Sequence, residues 1–487
     1  MKRFILVLSA LLLLAMFLKV DAGEAQVETA PIDPLEIQQG EIETLRILSN
    51  NSIPKKVIVV LNSSTEPFVF QLIQTIAAIN EESERLDLKV HVICSSRSKS
   101  ERFMKEIIEQ DFHQIVEVNQ RFYTADQWMQ DWGEIAVAQI KDKSQPQMII
   151  VDSNRGRGLA GLPKIFADLW DAYYIKNPRR GVKGDYGGNI EVTPDNVLIQ
   201  GTTSTTQLRN LFDEHGYSGR RALLDTNWLQ VGHVDEYVTF VPNPDAQGGY
   251  TIVKSDPALA FQLIKNATEE ELNATNYIYR ETIWEIHEDL NNNAYTRIRN
   301  ANYDLSKDVD ILKAPHSKTL SLEARNARKQ RLHWLVDLNT AISELIDQNI
   351  EILKTRIREV TNTPEREFQV VSLPTIFTGG KYGNEVYRCV AMMPGVVNML
   401  ILGDQLIIPD AQMPMLNNFI RHTMGKIKLK SHFLDDMAYH NLSGEIHCGT
   451  NVIRKHDQYW TYPDHIIDKG RFEKLFQSAP NRSSLIR

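Results

Sequence analysis

The chain has 487 residues, 42% hydrophobic and 24% charged, enough for one large domain or two to three ordinary ones and for a sizeable core. Its 54 basic and 62 acidic residues leave a net charge of −8, so no overall field favours nucleic acid. Three cysteines cannot form a disulfide scaffold, and only one apolar run approaches membrane-spanning length.

Lys2 and Arg3 precede that run, Phe4 to Leu18, which only Ser9 interrupts. Val20-Asp21-Ala22 then places small or branched residues where a signal peptidase reads. The pattern predicts a secretory signal over 1–22 and a secreted or periplasmic protein. An uncleaved anchor is the alternative, but the run falls short of the roughly 20 residues a span needs. No membrane span is expected after signal removal. Residues 23–52 are polar, carry Pro31 and Pro34, and are expected to be a linker.

From Val57 the pattern alternates. Val57–Leu61 is a buried strand candidate, Phe68 to Ile79 has helical spacing, and Leu86 to Val92 returns to period two. Ser100 to Gln110 is again helical, and Ile115–Val118 strand-like. Strands alternating with helices argue for an α/β domain. Residues 126–245 are denser in Gly, Asp and Trp and predict strands joined by functional loops. Residues 257–365 are charge-rich and mostly helical, an insertion or cover rather than a dimerising helix. Strands are expected again near 368–371, 387–392 and 396–402, before a polar tail over 456–487.

Three clusters could carry chemistry: Trp128 to Glu134, Val231 to Glu236, and Gly444 to Asn451 around Cys448. Taken singly, Asp131 could be a turn carboxylate, His233 a satisfied core histidine and Cys448 a structural thiol. Together they supply a nucleophile, an acid/base and carboxylates. On a strand, His233 and Asp235 would share one face. The polar and small residues around Cys448 suggest an exposed turn. Zinc is the weaker use of the same residues, because no further Cys or His falls at regular ligand spacing. Carboxylates beside a thiol discourage thiolate formation unless the substrate is a cation. A guanidinium, whose planar fork matches paired carboxylates, is the natural candidate.

Longer motifs then become recognisable: Gln127-Trp128-Met129-Gln130-Asp131, Asp152-Ser153 with Arg155 and Arg157-Gly158-Leu159, Gly188-Asn189-Ile190-Glu191-Val192, Trp228 to Glu236, Val397-Asn398-Met399-Leu400, and Gly444 to Val452. In this order they resemble the catalytic domain of the calcium-dependent protein-arginine deiminases, from about residue 55 to 455. The resemblance implies one catalytic domain over 53–455, with 257–365 as a helical insertion. It implies the α/β propeller of repeated ββαβ-type units, the pentein fold. It also implies hydrolysis of peptidyl-arginine to peptidyl-citrulline and ammonia.

By matching position, Cys448 resembles the nucleophile and His233 the general acid/base. Asp131 and Asp235 resemble the carboxylates that grip the guanidinium, and Trp128 the wall along the arginine methylenes. Arg155 and Arg157 correspond to contacts with the substrate backbone, so arginine-containing proteins or peptides are the implied partners. Gln130, Glu134, Gly187, Ile190 and Glu191 match one calcium site, an oxygen set suited to that cation. Asp152 and Ser153 are what remains of a second. A free-arginine or agmatine deiminase of the same fold, and a non-catalytic calcium-dependent secreted binding protein, are the alternatives.

Overall fold

The computed structural model describes residues 41–292, 322–382 and 385–459, together with Gln26–Val27. The expected signal over 1–22 lies outside the described residues; of the expected tail over 456–487, residues 456–459 instead end the strand Thr450–Tyr459, whose pairing with Ser52–Leu61 carries them on, and the rest lies outside the described residues. Among the described residues, no helix is long and apolar enough to cross a membrane.

Five sheets repeat one pattern: an antiparallel pair, then a helical crossover to a parallel third strand. Ser52–Leu61 shows how it is built. It pairs antiparallel with Thr450–Tyr459, then crosses through the helix Glu66–Glu82 to the parallel strand Lys89–Cys94. The crossover is needed because parallel neighbours cannot be joined by a tight turn. Phe68, Val69, Leu72, Ile73, Ile76 and Ile79 of that helix are buried on one face, packed on Val57, Val59 and Val90. The same pattern recurs in Gly133–Ile140, Gln147–Asp152 and Tyr173–Lys176. It appears again in Ile190–Val192, Leu198–Gly201 and Arg221–Leu224. Val238–Pro242, Tyr250–Asp256 and Val370–Pro374 form the fourth copy, and Leu400–Leu402, Gln405–Pro409 and Lys430–Leu434 the fifth. The fold is mixed α/β.

The segment 257–365 supplies the crossover of the fourth copy. Its described part is helical: Pro257–Lys265, Glu269–Ala274, Tyr277–Asn291 and the long Leu322–Thr361. That last helix buries Leu335, Leu338, Ile342, Ile346, Ile350, Leu353 and Ile357 at steps of three and four. Its polar residues stitch it to the sheets: the Asn339 side chain brackets the Phe377 backbone N–H and C=O, at 2.8 and 2.7 Å. The apolar stripe is consumed within the chain.

Two expectations give way. Residues 42–47 are not linker but the strand Ile42–Ile47, paired with Gly133–Ile140 because Ile42, Leu45 and Ile47 have an apolar face to bury against it. Only Leu400–Leu402 of 396–402 is a strand; Asn398 and Met399 fold back on Gly395 and Val397 through backbone hydrogen bonds. Cys94 and Cys389 are buried free thiols, each pushed up to about 12 by burial.

Candidate active site

The first cluster enters on the short helical turn Met129–Trp132, which leads into Gly133–Ile140 and buries Asp131. The second does not lie on a strand. Val234–Glu236 is a short helical turn whose first backbone N–H groups are capped by Glu236: its carboxylate accepts from His233 N–H at 2.8 Å and Gly232 N–H at 3.0 Å. This turn, rather than strand alternation, sets His233 beside Asp235. Both reach toward Gly188: a Cβ there would lie 2.6 Å from His233 Nδ1 and 2.8 Å from Asp235 Oδ2. The His233 Nε2–H donates to the Lys183 carbonyl at 2.8 Å. Nδ1 is therefore the nitrogen left for chemistry, and it is buried with no hydrogen-bond partner.

Cys448 is not in an exposed turn. It sits in the single helical turn Ile446–Gly449 and is buried, because the polar residues around it face inward onto other polar groups. Its Sγ lies 3.5 Å from Asp235 Oδ2 and 3.2 Å from Asn398 Nδ2. Burial, the Asp235 charge and, more weakly, Asp131 push its thiol well above the ordinary range. Asp235 Oδ1 is buried without a partner. Four side chains from three segments distant in sequence are thus brought to one place, with one carboxylate oxygen and one imidazole nitrogen open.

Trp128 packs against the ring of Tyr439 and against Gly444, so it stands beside the loop carrying Cys448. Arg157 is exposed, its Nε 3.5 Å from Asp126. Arg155 is not. Its guanidinium is buried between Asp126 and Asp131, over the ring of Tyr186 at 5.2 Å. Burial raises Asp131 above the usual carboxylate range, and Arg155 opposes that shift.

Behind the reacting groups lies a second polar nest. Gln130 Nε2 donates to Glu134 at 3.1 Å, and Asn50 Nδ2 donates to Glu191 at 3.1 Å. Burial pushes Glu134 well above its ordinary value, with Glu191 adding repulsion, and Glu191 itself is pushed up to about 7. Gly187 closes the nest: a Cβ there would meet the Gln130 carbonyl at 2.2 Å and Glu134 Oε1 at 2.7 Å. Ile190 begins the strand that carries Glu191. Asp152 and Ser153 stand apart and are internally satisfied: Asp152 accepts from the Tyr174 hydroxyl and the Asn154 N–H, and Ser153 donates to the Asp131 carbonyl. Among the described residues, no group of three or more His, Cys, Asp and Glu side chains is placed to hold a metal ion.

Two residues of the site were not singled out by sequence reasoning. Asn398 is one. His447 is the other: its Nδ1 pairs with Asp235 Oδ2 at 2.9 Å, and its Nε2 lies 3.7 Å from Glu191. A histidine directly before the candidate nucleophile was the available signal.

A catalytic arrangement of this kind, on a repeating mixed α/β frame, defines a candidate amidine-modifying hydrolase. Residues 195–461, more than half of the chain, match the protein-arginine deiminase (PAD) family, and the chain belongs to that family. It is similar to human protein-arginine deiminase type-3, 28% identical over 357 residues that cover 68% of this chain and 46% of that protein. Human protein-arginine deiminase type-4 is 29% identical over 360 residues, with the same coverages. The chain spans about half the length of the curated relatives it matches. In fold it is similar to a solved structure named as a candidate agmatine deiminase, with TM-score 0.51, 10% identity, and coverage of 86% of this chain and 98% of that one.

Proposed function

We propose that this chain is a protein-arginine deiminase that hydrolyses arginine in peptides or proteins to citrulline and ammonia. The observation that carries the reading is the convergence of Asp131, His233, Asp235 and Cys448, with Asp235 Oδ1 and His233 Nδ1 buried and open. The guanidinium binds Asp131 and Asp235, and Trp128 lies along its methylenes. Its charge offsets the acids that otherwise hold the thiol protonated. Cys448 gives its thiol proton to solvent, and the thiolate sulfur then forms a bond to the guanidinium carbon. The departing nitrogen takes a proton from His233 Nδ1 and leaves as ammonia, giving a thiouronium. Water attacks that carbon, giving a proton back to Nδ1, and the C–S bond breaks to release citrulline and the thiol. Citrulline is neutral, so the acids lose their ionic partner.

The acidic nest fits a calcium ion. Two buried carboxylates that repel one another, an amide oxygen and a carbonyl cradle cleared by Gly187 form a hard-oxygen set. Gln130, Glu134 and Glu191, with carbonyls of Gly187 and Ile190, would hold the ion, which would supply positive charge there. Gln130 and Glu134 flank Asp131, so ordering them also orders a substrate carboxylate. Asp152 and Ser153 do not fit a second ion, since their oxygens are already engaged.

The fivefold repeat supports closure into an α/β propeller around this site, because the last described strand completes the sheet of Ser52–Leu61. The charged start and apolar run of residues 2–18 support export to the periplasm or medium. The test is citrulline and ammonia release from a blocked arginine amide with calcium. Cys448→Ala is expected to lower it by a factor on the order of 10⁴ or more. Full activity in that variant would refute the mechanism, and faster turnover of free arginine or agmatine would reassign the substrate.

A further inference from the structure

The Cys448 sulfur stands among acids. Asp235 is in contact with it, and the charges of Asp131 and Glu236 also reach it. The neighbouring histidines do not answer them at the sulfur. His447 directs its Nδ1 to Asp235, and His233 ties its Nε2 to the Lys183 carbonyl. The Glu445 carboxylate accepts from His440 and the Gly395 N–H, and only its backbone hydrogen bond reaches the sulfur, opposing the rise.

Asn398 is different. Its side-chain amide makes three contacts, and two of them are with backbone groups of fixed polarity. The Cys448 N–H can only donate, and meets Oδ1 at 3.1 Å. The Asp235 carbonyl can only accept, and meets Nδ2 at 3.2 Å. These two partners decide which end of the amide is which. Nδ2 is therefore the end that faces Sγ, at 3.2 Å. The fold also holds the amide in place: Asn398 is buried, its own N–H donates to Gly395 and its carbonyl accepts from His447 N–H.

We propose that Asn398 is a catalytic residue, whose Nδ2–H donates to the Cys448 sulfur and stabilises the thiolate that attacks the substrate carbon. A donor on the charged form of an acid favours that form. Because this donor is neutral, it does not compete with the cationic substrate for Asp131 and Asp235. The proton that leaves the sulfur goes to solvent, since His233 Nδ1 must hold its own for the departing ammonia. The inference rests on the deiminase reading for the reaction, while the contact with the sulfur stands on geometry alone.

The test is the pH–rate profile of Cys448 carboxamidomethylation by iodoacetamide in the full chain, read at the Cys448 peptide by mass spectrometry. Asn398→Ala removes the donor, and its midpoint is expected to rise by about one pH unit. Thiolate falls about tenfold at fixed pH, and the greater nucleophilicity of the more basic thiolate brings the net rate loss to about threefold. Asn398→Asp keeps an oxygen for the Cys448 N–H but turns an acceptor on the sulfur, so its midpoint is expected to rise further. Should the alanine variant fail to fold, the aspartate variant decides. Profiles that superimpose on the wild type overturn the proposal, even if citrulline formation falls. A wild-type chain that alkylates normally yet forms no citrulline sinks the deiminase reading instead, and leaves the sulfur contact to be judged by the same shift.

Discussion

Arg155 places a guanidinium on the carboxylate proposed to grip a guanidinium substrate: its Nη2 lies 3.3 Å from Asp131 Oδ2. The same nitrogen is 3.2 Å from Asp126, and little of the side chain is exposed. A substrate must therefore share or displace it. Arg155→Leu leaves the buried Asp131 without its cation, a change that typically costs about 3–5 kcal/mol, while the half-buried Asp126 keeps Arg157. The variant is expected to melt lower. A blocked arginine amide should then raise its melting temperature more than it raises the wild type's. Equal ligand-induced shifts in the two proteins would show that Arg155 and substrate do not meet at Asp131.

Gly188 is the spacer between acid and base. A methyl group there would collide with His233 Nδ1 and Asp235 Oδ2 together. Gly188→Ala is expected to push them apart, lowering kcat for citrulline formation about 100-fold, the scale at which a misplacement of about 1 Å costs rate. Near-ultraviolet circular dichroism should stay unchanged. Wild-type kcat in that variant would mean the two groups need not stand where they do.

The acids around the thiol should make its labelling selective for charge. A cationic reagent such as 2-chloroacetamidine brings the positive group that Asp131 and Asp235 accept, whereas iodoacetamide brings none. Relative to a small free thiol, Cys448 is expected to prefer the cationic reagent by about tenfold or more, a difference of about 1.4 kcal/mol. Asp131→Asn should erase much of that preference. Equal rates for both reagents in the wild type would argue that the carboxylates do not face the sulfur's approach path.

What the sequence carried was local. Val57–Leu61 is an aliphatic run between polar neighbours, and the helix after it shows its buried face at regular spacing, so both were legible. Its partner strand Thr450–Tyr459 was not, because pairing the far ends of a long chain leaves no mark in either segment alone. The strand Ile42–Ile47 was missed for the same reason: its apolar residues acquire meaning only against Gly133–Ile140. The identities of Asp131, His233, Asp235 and Cys448 were legible as motifs, but their surroundings were not. Cys448 has polar neighbours in sequence and is nevertheless buried, since those neighbours find partners in Asn398 and Asp235 rather than water.

Glu445 gives the stability a pH dependence. Burial pushes its carboxyl up to about 8, and buried Asp436 beside it is also raised well above its ordinary value. Both bind their protons more tightly folded than unfolded. Their contribution is thus fully present below the unfolded carboxyl range, near 4.5 for Glu445, and is lost as pH rises toward 8. One such proton changes stability by at most about 1.4 kcal/mol per pH unit. Urea unfolding at steps across this window should show stability falling as pH rises, with a shallower fall in Glu445→Gln. A wild-type curve that rises through the window would contradict the neutral, buried pair.

The acidic nest sets the last expectation. Glu134 and Glu191 repel one another out of contact with bulk water; His447 beside Glu191 turns its other nitrogen to Asp235, and the buried Arg454 is spent on the carbonyls of Asn50, Ser52 and Ile401. If calcium binds there, it binds the folded chain and not the unfolded one. Stability should then rise by about 2.7 kcal/mol at a hundredfold excess of calcium over its dissociation constant. Chelation should reverse the rise together with citrulline formation. Glu191→Gln removes one of the two charges, so it should melt higher than the wild type without calcium and gain less when calcium is added. Magnesium, which demands a tighter octahedron and sheds its water reluctantly, should substitute poorly. A wild-type melting temperature indifferent to calcium, with activity intact in chelator, would leave Glu134 and Glu191 as a buried carboxyl pair that shares protons and would remove the metal from this site.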